Sequence, residues 1–301
     1  MMRQQTVRTI EYIRGMKIEF NHLLTDTYDP DENFKYESHH HLHTHWFYEI
    51  FFFISGDGVI ISGDNFYRIS YGDIFIAKPG ELHGMFFNDK CRSEHYFLYI
   101  EPDFQNFIHP GAESILSLIE GRERGVGNII RLSDAQIDEV RSCFDKLLAG
   151  ASAPNYSHSI ENFTLIMRVL SIIFQAVPNR PTEPASMEAL PPVFSDMLSY
   201  INANHTTIHA LSDISRAMNL SEAHLSRLFK RFMGTNIMHY VRMKKFETAR
   251  QLLAGGTNVT DACYSSGFDN YSHFITAFRK EFGMSPLEFR RSAVENMKTT
   301  D

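Results

Sequence analysis

Residues 211–234, LSDISRAMNLSEAHLSRLFKRFMG, are echoed by residues 259–283, VTDACYSSGFDNYSHFITAFRKEFG. Leu211 aligns with Val259, Asp213 with Asp261 and Asn219-Leu220 with Gly267-Phe268, at an offset of 48. From there on, Leu225 with Phe274, Phe229 with Phe278 and Gly234 with Gly283, the offset is 49. The one extra residue falls in a turn, where insertions are tolerated. A chain that repeats itself in this way must build the same small object twice.

Each copy reads as helix, tight turn, helix. Asn219 and Gly267 stand where the first helix ends and the chain needs a left-handed residue. Ser221 and Asp269 (or Asn270) follow as caps of the second helix. Leu225, Phe229 and Phe232, and likewise Phe274, Phe278 and Phe282, recur at helical spacing and must face inward. The opposite face carries Glu222, Ala223, Ser226, Arg227 and Lys230 in the first copy, and Tyr271, Ser272, His273, Thr276 and Lys280 in the second. Short polar side chains with a few cations suit a helix lying in a major groove. Between the copies, Asn236–Leu253 reads as a single helix of 18 residues. At its helical rise it is about 27 Å long, comparable with the roughly 34 Å between successive major grooves on one face of DNA. Ser285-Pro286-Leu287-Glu288 then opens a last helix with a capping box and proline in the first turn.

Charge agrees with that placement. The whole chain of 301 residues carries a net charge of −7, which argues against a general nucleic-acid coat. From Leu190 onward, however, 13 Lys and Arg meet 10 Asp and Glu, while the rest holds 16 against 26. Phosphate contact needs local positive charge, so it falls to the C-terminal part. Three scattered cysteines, Cys91, Cys143 and Cys263, exclude a disulfide framework and a zinc finger. The first twenty residues lack the apolar core of a signal peptide. Ile50–Ile54, the densest apolar run, is too short to span a bilayer. A cytoplasmic protein without a membrane partner is expected.

The repeat region resembles the AraC/XylS family of transcription regulators. HLSRLFKRFMG matches the family's first recognition helix, Ala249 with Leu252-Leu253 its linker helix, and GFDNYSHFITAFRKEFGMSPLEFR its second unit and signature. The resemblance covers about 100 residues. It implies promoter binding as a regulator, usually an activator that works with RNA polymerase. It assigns base contacts to Ala223, Ser226 and Arg227 in one recognition helix, and to Ser272, His273 and Thr276 in the other. Thr276 departs from the family, which often has Arg there, so the second copy is expected to read fewer bases.

Upstream of a tether at 178–192, where five of the eleven prolines lie, the chain changes character. Residues 34–100 read as short strands punctuated by Gly, Asp and Asn, which suggests an antiparallel sandwich or barrel. Phe47–Ile54 is apolar on both faces except for Glu49. Ser133–Ala149 reads as a capped helix with one apolar stripe, and Ser157–Ala176 as a helix apolar nearly all round. The latter is core or a subunit interface, and a homodimer formed through it is expected. The fold class is α+β: a cupin-like domain at 1–177 with trailing helices, then an all-helical domain at 193–301.

Within the first domain, His43-x-His45-x3-Glu49-x6-Gly56 is followed by Gly72-x6-Pro79-x3-His83. This resembles the cupin motifs, one residue short between Pro79 and His83, and the cupin-like sensor domain common in the AraC family. Three readings stay open. In the first, which the resemblance favours, a small effector such as a sugar or related metabolite binds without metal, near His43, His45, Trp46, Tyr48, Glu49 and His83. In the second, His43, His45, Glu49 and His83 hold a divalent metal; alternate strand positions share a face, so the geometry is allowed. In the third, the chain is a metal-dependent cupin enzyme and its helical tail is only an interaction module. Fusion to a DNA-binding domain favours sensing over turnover. His39, His40 and His41 are given no role.

Overall fold

A computed structural model describes residues 4–13, 16–25, 42–87 except 46, 92–123 except 103, 105–118 and 120, 125–150, 156–177, and 191–298 except 234. Residues 178–190 of the tether and Trp46 therefore lie outside the described residues, and the tether's last proline, Pro192, opens a helix. The chain divides into two compact units, Met1–His40 with Thr44–Ser186, and His41–His43 with Met187–Asp301.

The first unit is an antiparallel pair of sheets flanked by helices. Its strands are β1 (Gln4–Ile13), β2 (Met16–Thr25), β3 (Tyr48–Ser55), β4 (Gly58–Ser62), β5 (Asn65–Arg68), β6 (Asp73–Ala77), β7 (His83–Phe87), β8 (Ser93–Ile100) and β9 (Ile129–Arg131). They form one sheet in the order β1-β2-β8-β3-β6-β9 and another in the order β5-β4-β7. Two helices follow, α1 (Asp134–Gly150) and α2 (Tyr156–Ala176).

The central strands β3, β6 and β8 of the larger sheet are buried on both faces, which explains why β3 reads as a nearly unbroken apolar run. Tyr48, Ile50 and Phe52 join Tyr96, Leu98 and Ile100 of β8 in a core against α1 and α2. Phe51 and Phe53, from the alternate positions, join Phe97, Tyr99, Phe75, Tyr67, Met85 and Phe87 between the two sheets. Parity along β3 thus decides which side chains face the interior. It corrects the expectation for Tyr48, which packs toward the helices, on the face opposite Glu49 and Phe51.

Two further expectations change here. β1 and β2 pair along their whole lengths, from Gln4↔Thr25 to Ile13↔Met16, although the sequence reading began its strands only near residue 34. The apolar helix α2 spends its apolar side on its own unit: Ile166, Val169, Leu170, Ile172 and Ile173 are all in the core. Its exposed positions include Glu161, Thr164, Arg168 and Gln175, with Ile160 the apolar exception. Of the two readings open for this helix, core or subunit interface, core packing accounts for these five residues.

In the second unit the helices are α3 (Pro192–Asn204), α4 (Leu211–Met218), α5 (Glu222–Met233), α6 (Ile237–Ala254), α7 (Val259–Ser265), α8 (Tyr271–Phe282) and α9 (Pro286–Lys298). α6 is the connecting helix, capped by Asn236, whose side chain accepts from the His239 N–H. Residues on several sides of it are buried, among them Tyr240, Val241, Met243, Phe246, Ala249 and Leu253, because both repeat copies pack on it. Phe229 lies 5.5 Å from Tyr240 on one stretch, and Phe246 meets Phe268, Phe274, Phe278 and Phe282 on another, all by ring centroids within 6.3 Å.

Candidate functional site

The two helix-turn-helix copies close their first helices with the same hydrogen bonds. Leu220 N donates to Ser215 O and Asn219 N to Arg216 O; Phe268 N donates to Cys263 O and Gly267 N to Tyr264 O. This is the Schellman pattern twice over, at one offset. Asn219 has φ 53° and Gly267 φ 88°, so both occupy the left-handed region the sequence reading required. The second helices are capped by Ser221, whose hydroxyl accepts from His224 N at 3.3 Å, and by Asn270, which accepts from His273 N at 2.8 Å. Of the two alternatives at that turn, Asn270 is the cap.

Helices α5 and α8 each bury one stripe. Leu225, Phe229 and Met233 are buried in α5, and Phe274, Phe278 and Phe282 in α8. Met233 thus takes the place expected for Phe232, and the two stripes share the spacing i, i+4, i+8. The face away from each stripe is open. Glu222, Ala223, Arg227 and Lys230 are exposed and Ser226 is half-buried; Tyr271, Ser272, His273 and Thr276 are exposed. The Thr276 hydroxyl donates to the Ser272 carbonyl at 3.0 Å, which folds it back on its own helix. Asp213 locks the start of α4: its carboxylate accepts from the N–H groups of Ala210 and His209 and from Arg216. These bonds, the backbone ones first, hold its pKa at about 2.

Three contacts fix the second turn against the connecting helix and the segment ahead of the first copy. A Cβ at Gly267 would lie 2.1 Å from the Thr206 carbonyl oxygen, just beyond the end of α3. Lys245 of α6, nearly buried, donates to the Gly267 carbonyl at 2.7 Å. His209 Nδ1 meets Asp269 at 2.8 Å. Sequence reasoning identified Gly267 as a helix terminator but missed this close approach, for which there is no local signal.

In the first unit, three of the predicted residues come together, while His43 is grouped with the second unit. His45, Glu49 and His83 each bring one ligand atom to within 4.8 Å of the others. Glu49 and His83 have fully buried side chains, and His45 is 10% exposed. Glu49 Oε2 lies 2.8 Å from His45 Nε2 and 3.4 Å from His83 Nε2. Burial alone drives the His83 pKa down, but the hydrogen bond and charge of Glu49 outweigh it and leave the pKa above its ordinary value.

The segments carrying these groups are tied together. Gly80 N donates to His45 O at 2.6 Å. The carboxylate of Glu81, two residues before His83, accepts from Lys78 N, Gly125 N and both guanidinium Nη atoms of Arg122. Burial pushes the Glu81 carboxyl pKa up. The Arg122 charge and the two backbone N–H groups together outweigh burial, and hold it below the ordinary carboxylate value.

Comparison with known proteins meets this geometry at both ends. A profile described as AraC-like ligand binding domain matches residues 30–170, and one described as helix-turn-helix domain matches residues 214–292. The chain is an AraC-family transcription regulator. It combines a DNA-binding helix-turn-helix domain with an N-terminal ligand-binding domain. It is 24% identical over 254 residues to the uncharacterized HTH-type transcriptional regulator YfiF of Bacillus subtilis (strain 168), covering 83% of this chain and 78% of that one. It is likewise 24% identical over 263 residues to the HTH-type transcriptional activator RhaR of Yersinia pestis bv. Antiqua (strain Angola), covering 84% and 86%. Among solved structures, ToxT from Vibrio cholerae aligns over 96% of this chain and 97% of its own at 12% identity. Its TM-score of 0.34 is too low to carry geometry across.

Proposed function

We propose that this AraC-family regulator is a transcription activator that reads promoter DNA with α5 and α8 in adjacent major grooves. A small-molecule effector in the N-terminal unit controls it. The observation that carries this reading is the pair of identically terminated helix-turn-helix copies, each with an open polar face, packed on one shared helix. Ala223, Ser226 and Arg227 on α5 and Ser272, His273 and Thr276 on α8 contact bases; Glu222, Lys230 and Tyr271 border them. The resemblance of the chain to an activator supports the positive sign of regulation. Contact with RNA polymerase, action in the cytoplasm and a homodimer that lengthens the site read belong to the same proposal. No helix among the described residues is long and apolar enough to cross a membrane.

Footprinting on the DNA upstream of its own gene tests the reading. Two protected patches one helical turn apart are expected. Arg227→Ala should remove one of them and weaken binding roughly 5- to 150-fold, the cost of one good base contact. Thr276→Ala should do much less, because its hydroxyl is turned back on the helix. Affinity should also fall steeply with salt. Binding that ignores both Arg227→Ala and rising salt would sink the DNA assignment.

A further inference from the structure

The two reading helices carry unlike side chains at the matching position that faces furthest outward. At the offset of 49, Thr276 of α8 is the counterpart of Arg227 of α5. Each stands two residues past the first member of its buried stripe, Leu225 or Phe274, and two before the second, Phe229 or Phe278. At about 100° of helical rotation per residue, that position points nearly opposite to the stripe. Both residues are exposed. What α5 offers a base through Arg227, α8 must offer from the same place through Thr276.

An arginine there presents a fork of N–H donors, which matches the paired acceptors of guanine in the major groove. A threonine is ambiguous by type, because its hydroxyl donates or accepts and its methyl packs. The hydrogen bond within α8 removes that ambiguity. Thr276 Oγ1 donates to the Ser272 carbonyl oxygen at 3.0 Å, so its one proton is spent and its oxygen is drawn back along the helix. The Cγ2 methyl holds another staggered position on the same Cβ and becomes the group that meets a base. It is short, so only a feature that stands out from the base edge can reach it. In the major groove that feature is the C5-methyl of thymine, which is also the apolar group of the four base-pair edges.

We propose that Thr276 is a specificity-determining residue that reads a thymine by methyl-to-methyl contact, at the place where Arg227 reads a guanine in the other half of the site. The duplicated module therefore recognises two unlike half-sites, about one helical turn apart, and not a direct repeat. This rests on α5 and α8 being the DNA readers, and adds which base each of the two matching positions takes.

The test uses the full chain and a duplex that it selects from a random DNA pool. The selected sequence is expected to hold a guanine in one half and a thymine roughly 10 base pairs away in the other. Deoxyuridine then replaces thymine at one position at a time; it pairs as thymine does and differs only by the missing methyl. At one position this should weaken binding about fourfold, the worth of one buried methyl group. Thr276→Val discards the hydroxyl and retains a methyl, so it should show the same sensitivity at that position. Thr276→Ser keeps the hydroxyl and loses the methyl, so it should bind the thymine and uridine duplexes alike. The uridine series on the natural protein needs no variant and is independent of any effect on folding. Failure to select any sequence would overturn the DNA reading itself, and this inference with it. A selected site in which uridine has no effect at any position, or in which every uridine effect persists in Thr276→Ser, overturns this inference alone.

Discussion

Gly267→Ala is expected to destabilise the C-terminal unit by roughly 2–5 kcal/mol, combining about 1–2 for a left-handed alanine with about 1–3 for forced overpacking. The added methyl would stand 2.1 Å from the Thr206 carbonyl oxygen, and backbone there cannot swing aside as a side chain would. Gly256 provides the control, since it has the same φ of 88° and nothing within 4 Å of a built Cβ. Gly256→Ala should therefore show the conformational cost alone, about 1–2 kcal/mol. Denaturant unfolding followed by helix circular dichroism measures both variants. Equal losses would mean that the close approach at Thr206 is not a constraint. A larger loss at Gly267 should bring weaker DNA binding with it, because that turn aims α8.

Glu81→Ala is expected to cost about 3–5 kcal/mol in the N-terminal unit, the range for removing one partner of a buried ion pair. Glu81 is fully buried and Arg122 is 12% exposed, so the guanidinium left behind has little water to turn to. The N–H groups of Lys78 and Gly125 lose their acceptor in the same step. The pH dependence has a defined sign. The folded carboxyl has a pKa below its ordinary 4.5, so its stabilising contribution is present above that pH and fades as pH falls through the folded value. The stability gap between the natural protein and Glu81→Gln should thus be widest near neutrality and close in acid. A gap that stays constant from pH 7 to pH 3 would show that the charge of Glu81 plays no part.

The sequence disclosed most where chemistry is local. Caps, left-handed terminators and the apolar stripes of α5 and α8 are settled within a few residues of chain and were legible, apart from Met233 in place of Phe232 and the choice between Asp269 and Asn270. The spacing His43-x-His45-x3-Glu49 was legible for the same reason, although its fourth member, His83, had to be brought in across the sheets. Tyr48 was misplaced even though strand parity sets it opposite Glu49; adjacency in sequence was allowed to outweigh alternation. The β1–β2 hairpin was missed because residues 4–25 hold a single glycine and none of the Gly-Asp clusters that punctuate the later strands. Glu81 with Arg122, and Gly267 with Thr206, could not have been read at all. Their partners are 41 and 61 positions apart, and no periodic pattern marks either pair.

The one residue by which the repeat is uneven has a consequence of its own. Up to Gly267-Phe268 the two copies run in step, and the added position comes before the cap of α8. Asp269, in that added stretch, is 76% exposed and reaches back to His209, ahead of α4. A pair so exposed holds little energy, so its effect is one of angle more than strength. A duplicated module with strictly equal turns would aim both of its reading helices by the same rule. Here a one-residue insertion gives the second helix its own starting point and moors it to the segment ahead of the first copy. The pitch between the two readers becomes a heritable setting, adjustable at a surface turn without disturbing either core.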